Sequence, residues 1–175
     1  MVTMIDKLYF TNREIKYTCH EIMQKMWRDN WRPDYIVGIT RGGLVPALYL
    51  SHMTGIKMHT LDVRLRDGDE KESNLWMAED AFGTFQMGGE YECKKILIVD
   101  DINDTGATFQ WIKEDWASGC HSEDHRWEEV WGNNVRFASV VDNLGSDFKV
   151  DYCQHEINKA EKDVWVVFPW EEPMR

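Results

Sequence analysis

Lys95-Ile96-Leu97-Ile98-Val99 runs straight into Asp100-Asp101-Ile102-Asn103-Asp104-Thr105-Gly106-Ala107-Thr108, and the rest of the chain reads outward from that junction. The first five residues are a short apolar run, rich in β-branched side chains, of the kind that forms a buried strand. From Ala107 onward the spacing is helical, with Phe109, Ile112 and Trp116 on one face. A strand that turns tightly into a helix at its carboxyl end presents successive N–H groups at the positive end of the helix. Here two threonine hydroxyls join them, an arrangement that suits a phosphate monoester. Gly106 permits the close approach such binding needs. The paired carboxylates of Asp100 and Asp101, just before the turn, can hold two neighbouring ribose hydroxyls or the water shell of Mg²⁺, a hard cation that prefers oxygen ligands. Adjacent aspartates alone are usually solvated loop residues, and Thr-Gly turns are common. The ordered combination is what points to one loop serving a sugar and its phosphate.

A second unit of the same kind lies upstream. Tyr35-Ile36-Val37-Gly38-Ile39 reads as a buried strand that leads into Thr40-Arg41-Gly42-Gly43, after which residues 44–54 resume helical spacing with Pro46 in the first turn. Gly42 and Gly43 let backbone approach oxygen atoms, and Arg41 offers a planar five-donor fork to a diphosphate. Before this unit, apolar residues at Ile15, Cys19, Ile22, Met23, Met26 and Trp27 predict a helix over 11–31 with Thr11 or Asn12 as its N-cap. Further strands are expected at 56–63, 135–141 and 164–168. Strands alternating with helices imply an α/β fold with a mainly parallel central sheet flanked by helices. Residues 64–92 are charged, contain glycine and lack clear periodicity, so they read as a long mobile segment or hairpin. Residues 120–134 read as polar and tryptophan-rich, with His121-Ser122-Glu123-Asp124-His125 as an exposed acidic loop. Trp111 and Trp116 are expected in the core or at a dimer contact.

A length of 175 residues suits one domain spanning 1–175. The formal net charge of −11 repels a phosphate polymer and excludes nucleic acid as a partner, since non-specific affinity for it comes from Lys and Arg. Any bound phosphate must be held locally, by backbone N–H groups, a few basic side chains or a metal. Cys19, Cys93, Cys120 and Cys153 form no CxxC pair and are expected as reduced, structural thiols. No stretch approaches the ~20 apolar residues of a membrane helix. A cytoplasmic protein with no membrane partner is expected.

The stretch Ile98-Val99-Asp100-Asp101-Ile102-Asn103-Asp104-Thr105-Gly106-Ala107-Thr108 resembles the phosphoribosyl-pyrophosphate (PRPP) motif of type I phosphoribosyltransferases. The unit Val37-Gly38-Ile39-Thr40-Arg41-Gly42-Gly43-Leu44-Val45-Pro46-Ala47 is similar to the pyrophosphate loop of the bacterial xanthine-guanine and hypoxanthine enzymes. Asp163-Val164-Trp165-Val166-Val167-Phe168-Pro169-Trp170-Glu171 is similar to the purine-binding hood of the same subgroup. The resemblance implies a type I phosphoribosyltransferase fold, with a flexible catalytic loop at about 64–92 and a small C-terminal hood over 142–175. It implies transfer of phosphoribose from PRPP to a nucleobase, first of all a 6-oxopurine, with release of pyrophosphate. Mg²⁺ is the implied cofactor and a homodimer the implied assembly. Asp100 and Asp101 match the acids that contact the ribose hydroxyls, and Asp104 the general acid/base near purine N7, a role that burial would favour. Asp104, Thr105, Gly106, Ala107 and Thr108 match the 5′-phosphate loop; Thr40, Arg41, Gly42 and Gly43 match a pyrophosphate loop that is often bent by a non-proline cis peptide. Trp165 matches the base-stacking position and Val166 the backbone that meets the ring edge. Glu171 is similar to a residue that helps hold Mg²⁺ with Asp100 and Asp101, and Arg64 and Arg66 are placed to reach the pyrophosphate.

The pattern breaks in two places. The 6-oxopurine enzymes carry a Ser-Tyr pair at the start of the flexible loop, where this chain has Val63-Arg64-Leu65-Arg66. They also carry a lysine after the strand matching 135–141, where Asp142-Asn143 stands here. A carboxylate there would favour an amino group over a carbonyl, unless Asn143 or Lys149 restores a donor. A phosphoribosyltransferase for a pyrimidine or other base, and a non-catalytic PRPP-sensing regulator, are the alternatives.

Overall fold

The structure is a computed structural model that describes residues 5–63 and 74–171. In chain order its elements are β1 (Asp6–Tyr9), α1 (Asn12–Arg28), β2 (Tyr35–Thr40), α2 (Leu44–Thr54), β3 (Met58–Asp62), α3 (Leu75–Phe82), β4 (Thr84–Phe85), β5 (Tyr91–Glu92), β6 (Ile96–Asn103), α4 (Ala107–Gly119), α5 (Trp127–Val130), β7 (Val135–Asn143), β8 (His155–Ile157) and β9 (Val164–Val167). The central sheet has the order β3-β2-β6-β7-β8, and every neighbouring pair in it is parallel. The side chains of β2 and β6 alternate between two cores. Val37, Ile39, Ile96 and Ile98 meet Phe109, Ile112 and Trp116 of α4 on one face. Ile36, Leu97 and Val99 meet Ile15, Ile22 and Met26 of α1 and Ala47 and Leu50 of α2 on the other. Burial on both faces is why these strands are continuously apolar.

This topology positions the site. From β2 the chain steps outward to β3, and from β6 it steps the opposite way to β7. The right-handed crossovers α2 and α4 therefore lie on opposite faces, and the carboxyl ends of β2 and β6 meet at a topological switch point. Pairing of β2 with β6 ends at Gly38↔Val99, while β6 stays paired with β7 as far as Asn103↔Asp142. The sheet splits at Asp100.

Several expectations change on the fold. Asp100 and Asp101 are strand residues, because pairing with β7 carries β6 four residues beyond Val99. The last strand, β9, lies outside the central sheet and pairs with β1 in parallel. Strand β1 escapes sequence reading because all four of its residues are exposed and show no apolar alternation. Within the segment expected to be mobile or a hairpin, β4 and β5 form an antiparallel hairpin, and α3, which the sequence reading did not anticipate, buries Met77, Ala78, Ala81 and Phe82. Two helical turns are too few for a period to show. The remainder, residues 64–73 with Arg64 and Arg66, lies outside the described residues. The polar reading of 120–134 is also corrected. Trp127 and Val130 of α5 are buried, and Trp127 stacks on Trp131 with ring centres 5.1 Å apart. Trp116 is a core residue and Trp111 packs against the same core. Thr11 caps α1 through a reciprocal capping box with Glu14.

Candidate active site

A cleft of about 740 Å³ opens at the split in the sheet. It is lined by Val63, by residues 100–109, by Lys159, and by Trp165, Val166, Phe168 and Glu171 near β9. Ten of the fourteen residues expected in the site, Asp100, Asp101, Asp104, Thr105, Gly106, Ala107, Thr108, Trp165, Val166 and Glu171, are thereby brought to one cavity. The other four, Thr40, Arg41, Gly42 and Gly43, form the neighbouring loop at the end of β2.

That loop touches β6 through its glycines. A Cβ on Gly42 would sit 1.9 Å from Asp101 Oδ2, and one on Gly43 would sit 2.3 Å from the Val99 carbonyl oxygen. Only residues without a side chain let the two strand ends approach so closely. The Thr40–Arg41 peptide is cis. The Thr40 hydroxyl donates to Asp62 Oδ1 at 2.8 Å, which ties the loop to β3, and Arg41 is exposed.

On β6, Asp100 and Asp101 are held side by side. Burial pushes the Asp100 carboxyl well above the usual carboxylate range, and the neighbouring Asp101 charge adds to it. Burial also raises Asp101, against hydrogen bonds from its surroundings that oppose the rise. The Asp101 Oδ1 accepts from the Ile102 N–H at 2.8 Å. Such a pair favours a positive charge or hydroxyl donors brought into the cleft. Five residues after Asp101, Gly106 takes φ +87° as the N-cap of α4, and a Cβ there would sit 2.6 Å from that of Phe148. The turn can be made only by glycine. The first turn of α4 lines the cleft and contains no acidic residue to offset the partial positive charge of its N-terminus, where the Ala107 N–H donates to Thr105 Oγ1 at 3.3 Å.

At the far end of the cleft, Asp104 is half exposed, with 43 % of its side chain accessible, and Lys159 Nζ donates to its Oδ2 at 2.9 Å. Asp104 is not buried, because the loop leaves the sheet one residue earlier, at the buried Asn103. Trp165 is 55 % exposed along the cleft wall, while Val166 beside it is buried. Glu171 lines the same cleft, where its charge adds to the rise of Asp101, and its Oε2 accepts from the Phe168 N–H at 3.0 Å; no group of three His, Cys, Asp or Glu side chains suited to a metal occurs among the described residues.

Residues 7–175 match the family model of the phosphoribosyl transferase domain. The chain belongs to that family. A curated xanthine-guanine phosphoribosyltransferase from Cereibacter sphaeroides is 29 % identical over 147 residues, which cover 81 % of this chain and 70 % of that one. Among solved structures, a purine phosphoribosyltransferase from Pyrococcus horikoshii superposes with a TM-score of 0.66 at 24 % identity, covering 98 % of both chains. A xanthine-guanine-hypoxanthine phosphoribosyltransferase from Helicobacter pylori gives 0.65 at 15 % identity, covering 96 % and 94 %. The type I phosphoribosyltransferase fold read from the sequence is therefore the fold of this chain.

The purine members of this family generally use Mg²⁺, and the donor set of this phosphoribosyltransferase fits that ion. Asp100 and Asp101 supply oxygen only, and Mg²⁺ is usually held by one or two carboxylates with substrate oxygens and water completing the shell. Around the base end, the phosphoribosyltransferase departs from the sequence reading. Asp142 does not face the cleft: its Oδ1 accepts from the Asn103 amide at 2.7 Å, and with Lys149 it lines a separate cavity. Asn143 lines that same separate cavity and donates to the Asp104 carbonyl oxygen at 2.9 Å. Lys159 is the site residue that the sequence reading missed. It lies 55 residues from Asp104, in a turn before β9, where no motif marks it.

Proposed function

We propose that the protein transfers the 5-phosphoribosyl group from PRPP to a 6-oxopurine (guanine, hypoxanthine or xanthine) and releases pyrophosphate. The observation that carries this reading is the convergence in one cleft of the β6–α4 turn, the Asp100–Asp101 pair and the exposed Trp165. The relatives named as purine enzymes support the choice of base.

In this reading the free N–H groups at the start of α4, with Thr105 and Thr108, hold the 5′-phosphate. Asp100 and Asp101 hold the ribose hydroxyls. Arg41 and the backbone of Gly42 and Gly43 receive the pyrophosphate as negative charge develops on it. Mg²⁺, when bound, neutralises part of that charge. Trp165 stacks on the base and the Val166 backbone meets its edge. Asp104 takes the N7 proton as a ring nitrogen attacks C1′. Positioning and charge neutralisation supply most of the rate. A cytoplasmic homodimer belongs to the same proposal. Exposed Leu48 and Met53 of α2 and Leu75 and Trp76 of α3 offer apolar surface for a second copy, and sedimentation of the purified protein tests it.

The test is pyrophosphate release from PRPP and Mg²⁺ with guanine, hypoxanthine, xanthine, adenine, uracil or orotate against a control without base. Release that depends on a 6-oxopurine is expected. Release with uracil or orotate alone gives the pyrimidine alternative, and saturable PRPP binding with no release gives the sensor.

A further inference from the structure

We infer that Lys159 reads the 6-oxygen of the purine, supplying from a different segment the donor that Asp142-Asn143 at the end of β7 does not. This rests on the proposed purine transfer and names the residue that sets its base preference.

The placement comes from three contacts. Lys159 Nζ stands 2.9 Å from Asp104 Oδ2 in the wall of the cleft. The Lys159 backbone N–H donates to Asn143 Oδ1 at 3.1 Å, and Asn143 Nδ2 donates to the Asp104 carbonyl oxygen at 2.9 Å. One buried asparagine at the end of β7 thus fixes both the acid and the turn that carries the lysine. That turn is itself closed by Asn158, whose Oδ1 accepts from Ala160 N–H and whose carbonyl accepts from Glu161 N–H.

The chemistry of the pair matches one edge of a 6-oxopurine. N7 and the 6-substituent are neighbours on that edge: a 6-oxopurine with its proton on N7 shows a donor beside a carbonyl acceptor, whereas adenine puts an amino donor at the 6-position, and in the nucleotide product Asp104 carries that proton and donates it back to N7. With the Asp104 carboxylate at N7, the ammonium beside it falls at the 6-position. An ammonium has three donors and no acceptor, so it can keep Asp104 with one and donate to a carbonyl with another. Against the amino group of adenine it would set donor against donor. The other candidates for this task are occupied elsewhere, since Lys149 and Asp142 line the separate cavity and Asp142 accepts from Asn103. As a stabilising element a partly exposed pair of this kind contributes little, so its position in the cleft is what gives it a use.

The experiment measures the affinity of GMP, IMP and AMP by calorimetry for the wild type, Lys159→Met and Lys159→Arg, beside the pyrophosphate-release assay. The wild type is expected to bind GMP and IMP about tenfold or more tighter than AMP. Lys159→Met is expected to weaken GMP and IMP by about 10- to 100-fold and to leave AMP within about twofold, which also shows that the variant is folded. Lys159→Arg, which keeps a donor, is expected to retain part of the preference. A wild type without preference, a Lys159→Met protein that keeps it, or equal weakening of all three nucleotides would overturn the assignment. A wild type that prefers GMP through Lys159 yet releases no pyrophosphate would overturn the transferase and leave this assignment standing. Turnover of guanine with the preference intact in Lys159→Met would do the reverse.

Discussion

Gly42→Ala is the perturbation that bears most directly on how the two phosphate-binding loops are joined. Gly42 is not among the glycines with positive φ, so its backbone admits an alanine and only space is at issue. The new Cβ would lie 1.9 Å from Asp101 Oδ2 and 2.4 Å from its Cγ, whereas real Cβ atoms essentially never approach another heavy atom within 3.0 Å. One partner must therefore move by about 1 Å, a misplacement that typically costs ~100-fold in rate when it falls on reacting groups. If Asp101 swings away, it gives up the 2.8 Å hydrogen bond from Ile102 N–H. If the loop lifts, Gly43 leaves the Val99 carbonyl and its own 2.9 Å bond to Ile39. Overpacking of this kind costs ~1–3 kcal/mol, which for a chain of this size lowers Tm by roughly 2–10 °C and leaves a domain of ordinary stability folded at 25 °C. The expected result is a kcat/KM for PRPP reduced by ~100-fold in folded protein, read from pyrophosphate release at saturating base. Gly55→Ala is the control. Its φ of +72° makes alanine strained, yet nothing lies within 4 Å of the added Cβ, so it should lose about 1 kcal/mol of stability and no activity. A Gly42→Ala enzyme with kcat/KM for PRPP within about threefold of wild type would refute the reasoning.

Asp104→Asn should lower kcat by ~10²-fold or more while the Kd for PRPP stays within about twofold, measured by single-turnover rates and calorimetry; unchanged turnover would remove Asp104 from proton handling. Trp165→Ala should raise KM for the base about fivefold, the equivalent of ~1 kcal/mol of stacking, and leave KM for PRPP and Tm alone, because Trp165 is exposed in the free protein. His155 joins β8 to α1 through a 2.8 Å hydrogen bond with Thr18, and burial lowers its pKa from 6.5. A lowered histidine pKa means that the unfolded chain takes up the proton first, so the stability held by neutral His155 is complete above pH 6.5 and is lost as pH falls toward the folded-state value. Thermal melts from pH 7 to pH 5 should therefore show the wild type's advantage over His155→Asn shrinking; a constant gap would refute this.

The parts of the fold legible in the sequence are those whose causes are local. Strands β2 and β6 are buried on both faces and so announce themselves as apolar runs, and α1 shows four turns of periodic burial plus a capping box. The phosphate end of the site is legible for a related reason. A strand, a tight turn and a helix N-terminus follow one another in sequence, so the residues that meet the phosphate also lie together in the chain. The hood strands β1 and β9 are not legible as partners. They lie more than 150 residues apart, and nothing in either segment records that Lys7 pairs with Trp165.

The base end shows a sharper limit. The sequence places Asp142-Asn143 at the end of β7 and leaves open which of the two faces the ligand. Both residues line the separate cavity, and neither is among the residues that line the cleft. In the register Asp142 stands opposite Asn103, and its carboxylate accepts from the Asn103 amide. The Asn143 amide in turn holds Asp104 and the Lys159 turn together. The negative charge that seemed to argue for an aminated base is thus directed elsewhere, and a positive charge from residue 159 stands beside Asp104 in its place. In the proposed assignment, base preference depends on the closure of the turn that carries Lys159, which no motif encodes.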